Sequence, residues 1–397
     1  MAGKAAPRPR ILHVFANFDA NPGPMRAVTI INALGKAADH AIVSADPARR
    51  GAGRHLAKTV KVAWPKFPPL AGKATPGRLL KLASAMAGYD LICTYGYGAL
   101  DAAMAHTLFA DVHRLAPLVH HELEVEWDEA AHKRRRGWYR RFALGRTAAL
   151  VVSDKTIEAI ALERWDQPRT RVRLIAGGMD TRAFSAPAKR DLLPGLIKRR
   201  DEMWIGTFIT GDRVPDLFPL IRALPATAPE WQLVITGDAG DSRPAVEDEA
   251  ERLGVEDRMH FVGSEAFDPA VRVRLFALFD ICALPDGLVE APGIALEAMA
   301  AGAPVVAPRF GEVPALLSSD NGPWLSEPGV DDDLAGKLQE LAVSPADRKR
   351  VGQANRNKVR EEFDESRMIE RTRALYLGLM GLRREDLSQN EAQATAS

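Results

Sequence analysis

Short apolar runs alternate with amphipathic stretches along most of the chain. The runs Ile11–Phe15, Leu91–Thr94 and Met203–Phe208 have the length and composition of buried β-strands, whereas Leu79–Ala87 and Ala99–Phe109 carry apolar residues at helical spacing. Strands and helices that alternate in this way favour a parallel, doubly wound sheet. The pattern therefore predicts an α/β protein.

The length of the chain predicts more than one domain. A chain of 397 residues is too long for one ordinary hydrophobic core, so two domains are expected. From Ser185 to about Arg200 a segment with proline and many charges interrupts the strand pattern, which is typical of a linker. We therefore assign residues 1–185 to a first domain and residues 186–365 to a second. Residues 366–384 have a helical pattern, and the small, polar residues 385–397 are predicted to form a disordered tail.

The composition is that of a soluble globular protein, with 46% apolar and 26% charged residues. The basic segment Met1–Arg10 lacks the apolar stretch of a signal peptide, and no apolar run approaches the roughly 20 residues of a membrane-spanning helix. Cys93 and Cys282 fall in apolar strands, so we expect buried thiols and no disulfide. These features predict a cytoplasmic protein.

The net charge of +1 conceals two oppositely charged halves. Residues 1–185 contain 28 Lys and Arg against 16 Asp and Glu, a net charge of +12. Residues 186–397 contain 25 against 36, a net charge of −11. The two halves therefore face different partners. The basic half could meet an anionic membrane surface, a phosphorylated acceptor or nucleic acid.

The most basic stretch lies between Lys133 and Arg146, with seven basic residues and no acidic ones. Its interleaved aromatic rings suit a helix that inserts them among lipid headgroups while its cations meet lipid phosphates. A solvated basic face on an ordinary helix would give the same pattern. Nucleic acid is not expected, because no recognised nucleic-acid module accompanies the stretch. The residues assigned to this membrane or acceptor patch are Arg134, Arg135, Arg136, Trp138, Arg140 and Arg141.

The segment from Asp280 to Leu317 has the pattern of a strand, a loop, a helix and a second strand. Pro292 suits the first helical turn, because its missing N–H would be unpaired there, and Gly302 suits the helix end. The loop of such a βαβ unit lies at the carboxyl edge of the sheet, where open α/β folds bind ligands. The helix start offers free N–H groups and a positive dipole end, so it is a candidate phosphate site.

The run from Glu297 to Val306, E-A-M-A-A-G-A-P-V-V, lies in this unit. It resembles the donor-binding signature of glycosyltransferase family 4, whose members are retaining, nucleotide-sugar-dependent enzymes of GT-B architecture. The resemblance implies two Rossmann-like, doubly wound domains that face each other across a cleft. It also implies that the helix in residues 366–384 crosses back to the first domain.

The resemblance assigns roles to residues around this run. Glu297 corresponds to the carboxylate that binds the donor ribose, and Glu290 to the carboxylate that contacts the donor sugar. The donor diphosphate would lie against the helix start at Gly293 and Ile294. Six residues separate the two glutamates where the family usually has seven, so the helix entry is expected to be tighter. Glu297 could alternatively be a charge on the helix surface.

Weaker matches extend the resemblance across most of the chain. In the first domain, Gly23 would approach the donor phosphates or the acceptor, with a simple turn glycine as the alternative. The resemblance also places a histidine, His120 or His121, where it would hydrogen-bond a sugar hydroxyl. A buried structural histidine is the alternative for each.

In the second domain, the resemblance implies further donor contacts. Gly237 corresponds to the glycine of a turn on the nucleotide side. The family's two diphosphate-binding cations are represented here by Arg213 alone, because Thr207 stands where the arginine would be. A lost cation would weaken phosphate binding, since charge-assisted hydrogen bonds are the stronger ones.

No metal or cofactor is expected. His and Cys residues show no metal-ligand spacing, and the acidic string Asp331–Asp333 fits the ordinary preference of acidic residues for a helix start. The nucleotide sugar would act as a substrate.

These features predict a retaining hexosyl- or related glycosyltransferase that moves a sugar from a nucleotide-sugar donor to a glycan or lipid-linked acceptor. Its role would be in cell-envelope polysaccharide or lipopolysaccharide synthesis, in the cytoplasm or at the inner face of the cytoplasmic membrane. The alternative is a catalytically degenerate GT-B protein that serves as a scaffold in the same pathway. Thr207 and the shortened glutamate spacing motivate that alternative. An epimerase of the same architecture is disfavoured by the E-A-M-A run.

Overall fold

The computed structural model describes residues 8–123, 134–185, 190, 196–209, 217–237, 240–263, 268–285 and 292–383. These residues form two compact units. The first comprises the described residues up to Gly178 and those from Ser366 onward, and the second runs from Met179 to Glu365.

The first unit is built on a parallel sheet of seven strands in the order β3-β2-β1-β4-β5-β6-β7. Its strands are β1 (Arg10–Phe15), β2 (Asp39–Ser44), β3 (Val62–Ala63), β4 (Leu91–Tyr95), β5 (Leu118–Glu122), β6 (Ala149–Val152) and β7 (Val172–Leu174). Its helices are α1 (Pro22–Leu34), α2 (Pro76–Ala85), α3 (Leu100–His113), α4 (Arg134–Ala143) and α5 (Lys155–Glu163).

The second unit repeats this plan with six parallel strands in the order β10-β9-β8-β11-β12-β13. Its strands are β8 (Met203–Phe208), β9 (Trp231–Thr236), β10 (Met259–Val262), β11 (Ile281–Ala283), β12 (Val305–Pro308) and β13 (Leu325–Ser326). Its helices are α6 (Phe218–Ala223), α7 (Arg243–Leu253), α8 (Pro269–Phe276), α9 (Pro292–Ala301), α10 (Val313–Leu316), α11 (Asp331–Ala342) and α12 (Pro345–Glu362).

Each sheet is buried on both faces, which explains why its strands are continuous apolar runs. In β1, Leu12 and Val14 pack into one hydrophobic cluster while Ile11 and Phe15 pack into another. This alternation follows from the two-residue period of a strand. The predicted α/β fold with two doubly wound parallel sheets is confirmed.

The last helix, α13 (Glu365–Met380), leaves the second unit for the first. Its residues Met368, Tyr376 and Leu377 are buried in the same cluster as Ile11. The sequence placed the boundary between the domains after Ser185, whereas the structure places it after Gly178. Met179 belongs to the second unit because its backbone forms two hydrogen bonds of 2.9 Å with the segment that follows α12.

Each sheet has a point at which the strand order reverses, between β1 and β4 in the first unit and between β8 and β11 in the second. Loops on the two sides of such a point diverge and leave a crevice at the carboxyl ends of the strands, where ligands of open α/β folds bind. Ligand-binding residues are therefore expected at these two edges.

Candidate functional site

Helix α9 starts at the carboxyl edge of the second sheet. Pro292 occupies its first turn, and Gly302 follows its end with φ of +81°, as the sequence predicted for both residues. Ile294 is 5% exposed and anchors the start of the helix in the core. A Cβ added at Gly293 would find no atom of the described residues within 4 Å. The N–H groups of a first helical turn suit an anionic ligand.

Glu297 lies on α9 and makes a two-pronged ion pair with Arg272 of α8. The Arg272 Nε lies 2.9 Å from Oε1 and 2.8 Å from Oε2 of Glu297, and Nη2 lies 2.6 Å from Oε2. The two side chains are 19% and 22% exposed. The carboxylate is therefore held in one orientation, yet it stays within reach of solvent.

Aromatic rings fix the arginine in turn. The guanidinium carbon of Arg272 lies 4.9 Å from the ring centre of Phe208 and 5.6 Å from that of Phe276. Phe208 is the last residue of β8, so the cation sits at the carboxyl end of that strand. Burial, together with the nearby Glu297 carboxylate, raises the pKa of the Cys282 thiol, which keeps Cys282 protonated and unreactive.

Thr207 and its neighbour Gly206 have packing roles in β8. The Thr207 side chain is fully buried, and its hydroxyl has no hydrogen-bond partner among the described residues. A Cβ at Gly206 would come within 2.3 Å of the Phe279 ring, so only glycine fits there. Thr207 supplies no cation. Among the described residues, Arg272 places its guanidinium beside the end of β8.

The other predicted donor residues are only partly described. Gly237 has φ of +120°, and a Cβ there would lie 2.5 Å from the carbonyl oxygen of Ile209, so backbone packing alone requires glycine at this position. Its role in nucleotide binding stays a prediction. Glu290 and Arg213 lie outside the described residues.

The first unit has a cavity of about 350 Å³ at the carboxyl ends of β1, β4 and β5. Four residues that the sequence singled out for different reasons line it together, namely Gly23, His121, Arg136 and Arg140. Gly23 belongs to the first turn of α1, where the one described atom that a Cβ would meet within 4 Å belongs to Leu123, at 3.8 Å. A helix start, two guanidinium groups and an imidazole thus converge on one cavity.

His121 is the predicted histidine that reaches this cavity. Its Nε2 lies 2.9 Å from the hydroxyl of Tyr376 on α13, and its ring stacks on Tyr95 at 4.6 Å. Its Nδ1 is buried without a hydrogen-bond partner among the described residues. Burial, and next the positive charge of Arg26, lower the pKa of His121 well below its usual value, so the ring is neutral at pH 7. A neutral imidazole can exchange hydrogen bonds with a hydroxyl without carrying charge.

His120 points elsewhere. Its Nδ1 hydrogen-bonds the Thr94 hydroxyl at 2.8 Å, its Nε2 lies 3.6 Å from the Glu122 carboxylate, and the side chain is fully buried. It is absent from the described lining of the cavity. Of the two candidate histidines, the geometry favours His121 for contact with a ligand and His120 for structural support.

Arg140, which the sequence assigned to the membrane or acceptor patch, is buried and does not lie on the exposed face of α4. Its side chain is 2% exposed, and its Nε donates to Glu122 at 2.9 Å. Its guanidinium also lies over the rings of Tyr97 and Trp165, 4.9 Å and 4.7 Å from their centres. Burial alone would raise the pKa of Glu122, but His120 and Arg140 outweigh it and hold that pKa below its usual value. Arg140 is therefore the buried counter-ion of a carboxylate at the cavity.

The rest of the basic stretch divides between two faces of α4. Arg136 stacks on Tyr97 and lines the cavity, whereas Trp138 and Phe142 are 57% and 58% exposed and stack on each other at 6.0 Å. Arg141 lies over Trp138 and pairs with Asp166 on the exposed side. The side chains of Arg134 and Arg135 lie outside the described residues.

Helix α3 packs against α4 and adds to its exposed face. Leu108 and Val112 of α3 are 54% and 69% exposed, and Thr107 of the same helix donates a hydrogen bond to the Ala143 carbonyl of α4. The exposed surface of Leu108, Val112, Trp138, Arg141 and Phe142, here called the α3–α4 surface, is apolar with a basic component. The sequence did not predict a role for Leu108 and Val112, because α3 has no basic stretch.

Comparison with known proteins now places the second unit. Residues 203–343 match the family model of Glycosyl transferases group 1. The match includes α8, α9, Arg272 and Glu297. The lipopolysaccharide core biosynthesis mannosyltransferase LpsB of Rhizobium meliloti (strain 1021) is 27% identical to this chain over 258 residues, which span 61% of this chain and 68% of LpsB. The resemblance to glycosyltransferases is confirmed, while membership of family 4 stays a prediction.

Solved structures agree on the fold. A glycosyltransferase from Rickettsia africae ESF-5 superposes with a TM-score of 0.68 and 14% identity, over 94% of this chain and 99% of that one. Anabaena HepE in complex with UDP superposes with a TM-score of 0.64 and 19% identity, over 92% of this chain and 99% of that one. At these identities the likeness concerns the fold, which is that of the GT-B glycosyltransferases.

Two further observations apply to the part of the chain that the structure describes. No helix there is long and apolar enough to cross a membrane. No three His, Cys, Asp or Glu side chains there are grouped as metal ligands. That the protein needs no metal or cofactor stays a prediction.

Proposed function

We propose that the protein is a retaining glycosyltransferase that transfers a sugar, a hexose or a related unit, from a nucleoside diphosphate sugar. The observation that carries the proposal is the position of Glu297. It lies within the region that matches the group 1 glycosyltransferases, on a helix that starts at the carboxyl edge of a parallel sheet, and it remains partly exposed. HepE, which shares the fold, binds UDP.

In this proposal the donor diphosphate lies against the start of α9, beside Gly293 and Ile294. Backbone N–H groups there would stabilise the negative charge that develops on the leaving nucleoside diphosphate. Glu297 accepts hydrogen bonds from the ribose hydroxyls. Glu290 orients the donor sugar and Arg213 balances the charge of the diphosphate, as the resemblance implies for both.

His121 takes the role of a hydrogen-bonding residue in the first unit. Its lowered pKa makes it neutral at pH 7, the residue lines the cavity, and its buried Nδ1 has no hydrogen-bond partner among the described residues. A sugar hydroxyl would satisfy that atom, since an unpaired buried polar group is costly. No proton abstraction is required of His121. The transfer would occur on one face of the sugar without a covalent bond to the protein, as the resemblance implies.

The acceptor is proposed to be a glycan or a lipid-linked saccharide in cell-envelope polysaccharide or lipopolysaccharide synthesis. The likeness to the lipopolysaccharide core mannosyltransferase LpsB supports this class. The α3–α4 surface would bring the enzyme to the anionic inner face of the cytoplasmic membrane, because exposed aromatic and aliphatic side chains with a nearby cation suit lipid headgroups.

Incubation with UDP-, GDP- and ADP-sugars tests the proposal. At least one donor should be hydrolysed slowly in the absence of acceptor, and the matching nucleoside diphosphate should bind in a calorimeter. Glu297→Ala should weaken that binding by about tenfold to a hundredfold, since it removes charged hydrogen bonds to the ribose.

A wild-type protein that neither binds nor turns over any of these nucleotides would contradict the proposal and favour the scaffold alternative, which the comparisons do not support. Arg141→Leu serves as a control, because its exposed ion pair with Asp166 lies in the other unit and should leave nucleotide affinity unchanged.

A further inference from the structure

Arg272 has no role in the motif that identifies the donor site, yet it makes the closest contacts of Glu297 among the described residues. Its guanidinium forms three contacts of 2.6–2.9 Å with the two carboxylate oxygens. The two residues stand on different helices, 25 positions apart in the chain. The contact is therefore a feature of the tertiary fold and cannot arise from helix formation alone.

Aromatic rings and a helix cap fix the position of Arg272 independently of Glu297. Phe208 ends β8 and is 4% exposed, and Phe276 is fully buried on α8, so both rings are fixed by the core. Asp268 caps α8 by accepting hydrogen bonds from the N–H groups of Ala270 and Val271. A guanidinium that lies over two fixed rings on a capped helix can adopt few rotamers. Because its planar fork binds both carboxylate oxygens, it also restricts the rotamers of Glu297.

The ion pair leaves room on Glu297 for a ligand. An ionised carboxylate offers about four lone-pair positions. Arg272 uses the positions along one edge of the carboxylate, and 22% of the glutamate side chain remains exposed. The positions left over can accept two hydroxyl donors. The two neighbouring hydroxyls of a ribose present two such donors at adjacent carbons.

We propose that Arg272 is a positioning residue that orients Glu297 for the two ribose hydroxyls, and that this ion pair sets the preference for ribonucleotide over deoxyribonucleotide donors. The inference rests on the proposed function. Arg272 does not touch the sugar in this arrangement. It makes the carboxylate rigid, so that ribose binding does not carry the conformational-entropy cost of ordering a flexible glutamate.

The experiment compares a nucleoside diphosphate with its 2′-deoxy form on the full-length protein by calorimetry. The nucleotide is whichever of UDP, GDP and ADP binds the wild type most tightly. The wild type should prefer the ribose form by about tenfold to a hundredfold. Arg272→Leu should reduce this preference to about twofold or less, mainly by weakening the ribose form, and Arg272→Lys should give an intermediate ratio because an ammonium lacks the fork.

Lys198→Met is the matched control, since Lys198 also forms a partly buried ion pair in the second unit, with Asp280 at 2.6 Å. It should lower stability without changing the ribose preference. The double variant Glu297→Gln, Arg272→Leu should lower the preference for the ribose form no further than either substitution alone. The two effects are not additive because both substitutions remove the same interaction.

Three results would overturn the inference. The first is an unchanged ribose preference in both Arg272→Leu and Arg272→Lys, which would make the ion pair structural. The second is an equal loss for both nucleotides together with weaker binding of inorganic pyrophosphate, which would make Arg272 a phosphate contact. The third, a wild type that binds no nucleotide, removes the proposed function as well and is thereby distinguishable from the other two.

Discussion

Each unit places a glutamate and an arginine at the carboxyl edge of its parallel sheet, but the two pairs differ in burial. Glu122 and Arg140 of the first unit are 1% and 2% exposed, whereas Arg272 and Glu297 of the second are 19% and 22% exposed. Full burial removes the hydration of both charges, so each needs the other to remain ionised. Partial exposure leaves acceptor positions that a ligand can occupy. The same residue types therefore shape a cavity wall in one unit and offer a binding group in the other.

The largest effect is expected where the charges are most buried. Arg140→Leu should destabilise the first unit by about 3–5 kcal/mol, because it leaves the Glu122 carboxylate buried without its cation. Hydrogen exchange followed by mass spectrometry, peptide by peptide, would show lost protection in β5 and β6 with little change in the second unit. Arg141→Leu, on the exposed side of the same helix, is the control and should change little.

The loss caused by Arg140→Leu should depend on pH. In the wild type the pKa of Glu122 is held below 4.5, its unperturbed value. The carboxylate therefore contributes stability above pH 4.5, and this contribution is lost as the pH falls through the folded-state pKa. The difference in unfolding free energy between wild type and Arg140→Leu should therefore become smaller below about pH 4.5. A difference that stays constant with pH would show that lost packing of Arg140 against Tyr97 and Trp165, and not lost charge, is responsible.

A second comparison concerns histidines. Burial lowers the pKa of His40 to about 4, and it lowers the pKa of His13 and His121 well below 6.5. These rings are neutral in the fold but protonated in the unfolded chain below pH 6.5, so stability present above pH 6.5 is lost as the pH falls toward 4. His40 alone accounts for about 3 kcal/mol of that loss. In the second unit, His260 is only partly buried.

Exchange protection in the first unit should therefore fall more steeply between pH 6.5 and 4 than protection in the second unit. His40→Gln should make the decline shallower, since glutamine does not titrate. Equal declines in the two units would contradict this account, because titration of carboxylates is common to both.

Most of the fold could be predicted from the sequence because parallel strands buried on both faces are continuous apolar runs. Met203–Phe208 was predicted with the boundaries that the structure shows. Strand β13 (Leu325–Ser326) was missed, since two residues carry no periodicity. The boundary at Met179 was also misplaced, because it depends on pairing with residues far along the chain, near Asp364.

The candidate sites were less predictable, for physical reasons. Glu297 was found because a contiguous run of residues surrounds it. Arg272 was not, because its contact with Glu297 exists only when α8 and α9 pack. The burial of Arg140 was not predicted, because the basic stretch was not divided into the faces of its helix. Read as a helix, Arg136, Arg140 and Ala143 share one face at spacings of four and three residues, which would have indicated the inward side.

The smallest expected effect on stability is that of breaking the partly exposed ion pair between Arg272 and Glu297. Arg272→Leu should destabilise the second unit by no more than about 1 kcal/mol, because Arg272 and Glu297 keep contact with water and their attraction is screened. Urea denaturation of the second unit, followed by hydrogen exchange in α8 and α9, would measure it. Added salt should reduce the stability lost in Arg272→Leu further. The stability lost in Arg140→Leu should change little with salt, since buried ion pairs are screened less. A loss as large as that of Arg140→Leu would mean that the second pair also supports the fold, and burial would then not separate the two roles.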